Sequence, residues 1–107
     1  MSYHKYKVCL EQYLKCATLC HHNVYTCLLE EDVAKYKTCI QLCSECAVMC
    51  LAATQMVSLG SHVSREVAGL CAQVCNACAV ECEKHPESLH CRECAEACRI
   101  CIECMSY

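Results

Sequence analysis

The stretch CIQLCSECAVMC, residues 39–50, places four cysteines at spacings of 4, 3 and 4, and CAQVCNACAVEC, residues 71–82, repeats that spacing. At about 100° per residue, with Cys39 at zero, Cys43, Cys46 and Cys50 fall near ~40°, ~−20° and ~20° on a helical wheel. All four therefore share one narrow stripe. Cys71, Cys75, Cys78 and Cys82 form the same stripe. Cys9, Cys16, Cys20 and Cys27, spaced 7, 4 and 7, form another. Cys91, Cys94, Cys98 and Cys101 share a fourth, from which Cys104 drifts away.

Four helices follow, over about residues 3–29, 32–59, 61–84 and 88–105. The breaks carry turn chemistry. Asp32 offers a cap for the second helix. Ser58-Leu59-Gly60-Ser61 suits a helix end followed by a new start. Pro86 disfavours helix at His85, and Ser88 offers a cap for the fourth. The connections are short, so consecutive helices run antiparallel. The expected fold is all-α: one up-down-up-down four-helix bundle over residues 1–107, with a cysteine-lined core where a bundle ordinarily keeps leucine, isoleucine and valine.

Seventeen cysteines in 107 residues are too many to act only as small hydrophobes, because a core of small side chains buries less apolar area than one of leucines. Disulfides fit poorly as a general solution. Helical neighbours at i and i+4 have Cβ atoms about 5–6 Å apart, whereas a disulfide wants about 3.8 Å. Disulfides are thus restricted to pairs between helices. A metal spans the wider gap, since two metal–sulfur bonds of about 2.3 Å in line separate the sulfurs by about 4.5 Å. Near-linear coordination by soft thiolates selects Cu(I). Charge points the same way. One Cu(I) per bridging thiolate leaves a nearly neutral core. Isolated four-thiolate Zn(II) sites each leave about −2, which is costly in a dry interior. Bridged zinc clusters reduce that figure, so a metallothionein-like Zn(II) buffer stands as the alternative. The CxxC pairs sit inside helices, without the strand context of a redox motif.

The remaining composition excludes other classes. A formal net charge of −3 gives no electrostatic footprint for nucleic acid. The opening MSYHKYKVCLEQY has no apolar signal-peptide core, and no run of about 18 apolar residues suggests a membrane span. The expected compartment is the cytoplasm, where thiols stay reduced.

The repeated CxxxC rows, together with HPESLHCRECAEACRIC at residues 85–101, resemble the bacterial four-helix-bundle copper storage proteins over essentially the whole chain. That family has an exported branch carrying a twin-arginine signal and a cytosolic branch, and this chain resembles the cytosolic one. The resemblance implies a homotetramer, storage of multiple Cu(I) ions per chain and no turnover of a substrate. Ligand pairs carry over to Cys16/Cys20, Cys39/Cys43, Cys46/Cys50, Cys71/Cys75, Cys78/Cys82 and Cys94/Cys98. Tyr13 sits on the first stripe between Cys9 and Cys16, so copper sites are expected to be sparser there. Copper donor and acceptor proteins are not indicated.

His21, His22, His62 and His4 fall off the stripes and are expected on solvated faces or at subunit contacts. Met49 and Met56 flank a stripe as packing residues. His85 continues the Cys82 line, and His90 precedes Cys91. In an antiparallel bundle these two meet near Cys27, Asn23 and Tyr36, so copper is expected to enter there. Val57, Val67 and Ala68 seal the other end, where Met105 also lies. The candidate metal ligands are the seventeen cysteines of the four rows, Cys104 included, with His85 and His90.

Overall fold

The computed structural model describes residues 3–104, with side chains from Tyr6 onward. Its elements are α1 (Tyr3–Leu28), a 3-10 turn (Val33–Tyr36), α2 (Lys37–Ser58), α3 (Ser64–Cys82) and α4 (Leu89–Cys104). α1 and α3 each lie against α2 and α4, which closes a square, up-down-up-down bundle. The molecule measures 45 × 17 × 17 Å. Met105 and the His4 side chain lie outside the described residues.

The bundle is slender because its core side chains are small. Beside the buried cysteines sit Ala17, Ala47, Ala53, Ala68, Ala79, Ala95 and Ala97, all buried. Small residues at the contact let helix axes approach closely. The same substitution of cysteine and alanine for leucine reduces the apolar area removed from water, at about 25 cal/mol per Å². What sets the sulfurs close together also leaves the metal-free bundle with a thin hydrophobic core.

Two helix starts differ from the sequence expectation, while α4 begins directly after Ser88 as expected. Asp32 makes no side-chain capping bond, and it leads into the 3-10 turn rather than α2. That tighter turn brings Tyr36 inward, where it is 4% exposed, and α2 proper begins at Lys37. Ser61 does not open α3. Its hydroxyl accepts the Val63 N–H at 3.2 Å within a turn, and the helix starts at Ser64. Ser88 pairs its hydroxyl with that of Tyr36 at 2.9 Å, which ties the 3-10 turn to the start of α4.

The end of α2 follows the glycine signal. Gly60 has φ 66°. Its N–H reaches the Val57 carbonyl at 3.0 Å, and the Ser61 N–H reaches that of Met56 at 3.1 Å. These are the two bonds of a Schellman motif, which needs a residue that tolerates the left-handed conformation. The segment Val33–Ser58 is long and apolar enough to cross a membrane by length and composition. Much of that apolarity resides in Cys39, Cys43, Cys46 and Cys50, all fully buried against the other helices.

Candidate metal centre

Periodicity puts one row of sulfurs on each helix, and the bundle folds the rows into a single column. The pairs Cys16/Cys20, Cys39/Cys43, Cys46/Cys50, Cys71/Cys75, Cys78/Cys82 and Cys94/Cys98 all consist of free, buried thiols. Sulfurs approach within helices, as at Cys39–Cys43 and Cys71–Cys75, both 3.9 Å. They approach between helices at Cys43–Cys78, Cys20–Cys94 and Cys46–Cys75, each 3.6 Å. At the far end of the column Cys50 lies 3.8 Å from Cys71.

Four groups of four sulfurs are compact enough to hold an ion: Cys43/Cys78/Cys82/Cys94, Cys20/Cys78/Cys94/Cys98, Cys16/Cys20/Cys46/Cys98 and Cys16/Cys46/Cys50/Cys75. Each successive pair of groups shares two thiols, so ten cysteines supply all four. Separate tetrahedral sites would need sixteen. The arrangement is therefore a ladder of shared thiols, suited once ionised to ions of low coordination number and low charge.

The thiols already interact by proton sharing. Hydrogen bonds from Cys20, Cys39, Cys78 and Cys82 hold the Cys43 thiol far below its ordinary value. Cys101, Cys20 and Cys46 act in the same way on Cys16. Cys20, Cys50 and Cys98 are pushed far up, first by thiol neighbours and then by burial. Shared hydrogen bonds thus favour ionisation at some thiols and oppose it at their neighbours. A bound cation removes that opposition by displacing the protons.

At the other end a fifth group joins Cys27, His90 and Cys91. His90 Nδ1 lies 3.9 Å from the Cys27 sulfur and 3.7 Å from that of Cys91. Its Nε2 contacts Glu30 Oε1 at 3.2 Å. Burial first, then the negative charge of Cys91, pushes the Cys27 thiol up to about 12. A hydrogen bond from Cys39 lowers Cys91 to about 6 against the effect of burial, with help from His90 and Asn23.

Asn23 is the organising polar residue of this end and is fully buried. Its amide nitrogen donates to the sulfurs of Cys43, Cys39 and Cys82 at 3.2, 3.4 and 3.6 Å. Its carbonyl oxygen meets the thiols of Cys27 and Cys91 at 3.7 and 3.6 Å and also contacts His90 Nδ1. The sequence holds a signal for it: Cys16, Cys20, Asn23 and Cys27 follow the 4, 3, 4 spacing of the other rows, with asparagine in the third place.

His85 is buried but stands apart from the sulfur groups. Its ring packs on Tyr36 with centroids 4.7 Å apart, and neither ring nitrogen has a hydrogen bond. Glu81 Oε2 is 3.5 Å from its Nε2. His21, His22 and His62 are exposed, and Met49 packs on the core from its edge. Val57 and Ala68 are buried at the far end, with Val67 half-buried beside them. Tyr13 is 1% exposed and occupies core space between Cys9 and Cys16. Cys9 and Cys104 are joined to each other as a disulfide between α1 and α4, so in this state neither offers a thiolate. Disulfides were expected only between helices, and this one obeys that geometry.

The family model described as Csp, copper storage protein, matches residues 2–107. No curated protein matches the chain. Among solved structures, the copper storage protein Ccsp from Streptomyces lividans loaded with 10 copper equivalents superposes with a TM-score of 0.92 at 37% identity, covering 95% of this chain and 81% of that one. A second structure, of copper loading to a cytosolic copper storage protein from Streptomyces lividans with five coppers, gives 0.92 and 37%, covering 95% and 89%. The Cu(I)-bound copper storage protein BsCsp3 gives 0.89 at 36%, covering 94% of each chain.

Proposed function

This chain belongs to the copper storage protein family, a family of non-enzymatic metal stores, and on that premise we propose that its thiol column holds several Cu(I) ions per chain as cargo. The observation that carries this reading is the sharing of two thiols between each successive group of four. Bridging lets monovalent ions neutralise thiolates one for one, so the filled core avoids the buried charge that isolated divalent sites would create. Binding is an equilibrium: thiols release protons as copper enters, and the folded state gains stability by mass action.

The proposed ligands are the fifteen free cysteines, His90 at the mouth and, when reduced, Cys9 and Cys104. His85 serves as an outer contact for arriving copper, its two ring nitrogens being unbonded. Copper arrives through the Cys27/His90/Cys91 group, the one group among the described residues in which a histidine nitrogen joins the thiols. A single storage domain spans residues 1–107. Its compartment is the cytosol, as for the Streptomyces lividans relative described in those words. It assembles as a homotetramer, for which exposed Leu14, Tyr25, Val48 and Leu51 on α1 and α2 supply apolar surface. Light scattering should then give four times the chain mass of 12.0 kDa.

The deciding experiment is anaerobic Cu(I) titration of the reduced protein against a chromophoric Cu(I) ligand. Uptake of several ions per chain, undisturbed by equal Zn(II), is the expected result. Uptake of one ion or none, or displacement of copper by zinc, would overturn the reading.

A further inference from the structure

Cys9 and Cys104 belong to none of the sulfur groups that can hold an ion. They form the one disulfide among the described residues, while every other described cysteine is a free, buried thiol. Cys104 also differs in access: it is half-buried, at the last turn of α4, whereas the free cysteines have essentially no exposed surface. Cys9 is 1% exposed, and its sulfur lies 3.1 Å from the Cys104 carbonyl oxygen, an acceptor ready for the thiol when the pair is reduced.

Thiol–disulfide exchange needs a sulfur that a reagent can reach and a second sulfur close enough to resolve the product. Only this pair meets both conditions. The core sulfurs are close neighbours but are shielded by the bundle. We infer that Cys9 and Cys104 are a redox-operated clasp, placed beyond the four groups of shared core thiols and closed by exchange with a low-molecular-weight disulfide such as oxidised glutathione. The Cys104 thiolate attacks one sulfur of the small disulfide and expels a thiolate, leaving a mixed disulfide on Cys104. The Cys9 thiolate then attacks the Cys104 sulfur and expels the second thiolate. The two protons lost by the protein end on the two small thiols; the protein pair is oxidised and the small disulfide reduced. Excess small thiol reverses both steps.

The bond joins positions 95 residues apart, so it ties the first helix to the last. Closing nearly the whole chain into one loop restricts the unfolded state strongly. The clasp closes the end of the bundle remote from His90 and leaves the ladder of core thiols untouched. In a reducing compartment a disulfide of this kind responds to conditions rather than persisting. The inference rests on the placement and access of the pair, and it holds whether or not the core binds copper.

The test is made on the full, metal-free chain. Reduced protein is exposed to oxidised glutathione, quenched and denatured, and its thiols are counted and its peptides mapped. The expected result is a fall from seventeen thiols to fifteen, one peptide pair linking Cys9 to Cys104, and a Tm several degrees above that of the reduced form. Cys104→Ser should hold its sixteen thiols and show no change in Tm on the same treatment. Seventeen surviving thiols, a stable glutathione adduct, a bond to any core cysteine, or a dimer linked through Cys104 would each overturn the clasp.

Discussion

The two ends of the thiol column are closed by opposite chemistry. At one end Asn23, Tyr36, Glu30 and His90 surround the outermost thiols with groups that exchange protons and hydrogen bonds. At the other, Tyr13, Ala53, Val57 and Ala68 cover the last thiols with buried, largely apolar surface, and a disulfide bridges the helix ends. A cation passing through an apolar plug loses its hydration without replacement, which is costly. At the polar end, imidazole and amide groups replace that hydration stepwise. The contrast gives the column a direction.

The largest expected effect is that of loading itself. With free Cu(I) a thousandfold above a site's Kd, each such site adds about 4 kcal/mol to the stability of the folded chain. Thermal unfolding should therefore move sharply upward on loading. Amide exchange at partial loading sharpens the comparison: protection should rise first in residues 37–43 and 89–94, and later in residues 50–57. Simultaneous protection at both ends would remove the proposed direction of filling.

Next comes Asn23. Asn23→Ala removes the amide that three sulfurs share and the acceptor for Cys27, Cys91 and His90, and it leaves a small cavity. Unfolding of the reduced, metal-free protein in denaturant should show a loss of about 2–3 kcal/mol. A smaller loss than for an exposed asparagine such as Asn76 would deny Asn23 its organising role.

His90→Ala tests the mouth kinetically. Stopped-flow uptake from a weak Cu(I) donor should slow by about tenfold, equivalent to about 1.4 kcal/mol of barrier, with little change in final capacity. Val57→Ala at the far end should cost about 1–2 kcal/mol of stability through lost burial and leave the uptake rate unchanged. Equal slowing by the two substitutions would erase the difference between the ends.

How much of this was legible in the sequence differs by residue. The 4, 3, 4 spacing fixes which face of each helix points inward, so the rows and their convergence follow from periodicity alone. The 3-10 turn does not, because it answers to a tertiary demand: Tyr36 must turn in against His85 and Ser88. The late start of α3 reflects competition, since the Schellman bonds and the Ser61 turn take up the backbone groups that an earlier start would use. Asn23 lay on the right stripe but lacked a thiol, so its role becomes visible only when three helices bring sulfurs to it. The drift of Cys104 off its stripe was readable. Its meeting with Cys9 depends on the relative height of two helices that are 95 residues apart in sequence.

The smallest effect concerns an outer tie near the histidine end. Arg99 on α4 holds Glu83, just past α3, through two bonds of 2.9 and 3.1 Å, and donates to Asn76 at 2.8 Å. The guanidinium lowers the Glu83 carboxyl below its ordinary value. A carboxyl depressed in the folded state contributes stability above its unfolded pKa and loses it as pH falls through the folded value. Both side chains are a little under half exposed, so solvent screening limits the pair to about 0.5 kcal/mol. Arg99→Ala should therefore lower stability slightly at pH 7 and less well below the carboxylate range, where only the Asn76 bond is left to lose. Copper uptake should be unchanged, because the tie lies on the outer face, away from the proposed mouth at Cys27, His90 and Cys91. A loss well above that size, or one undiminished at low pH, would mean that Arg99 holds α3 to α4 by packing and its Asn76 bond rather than by charge.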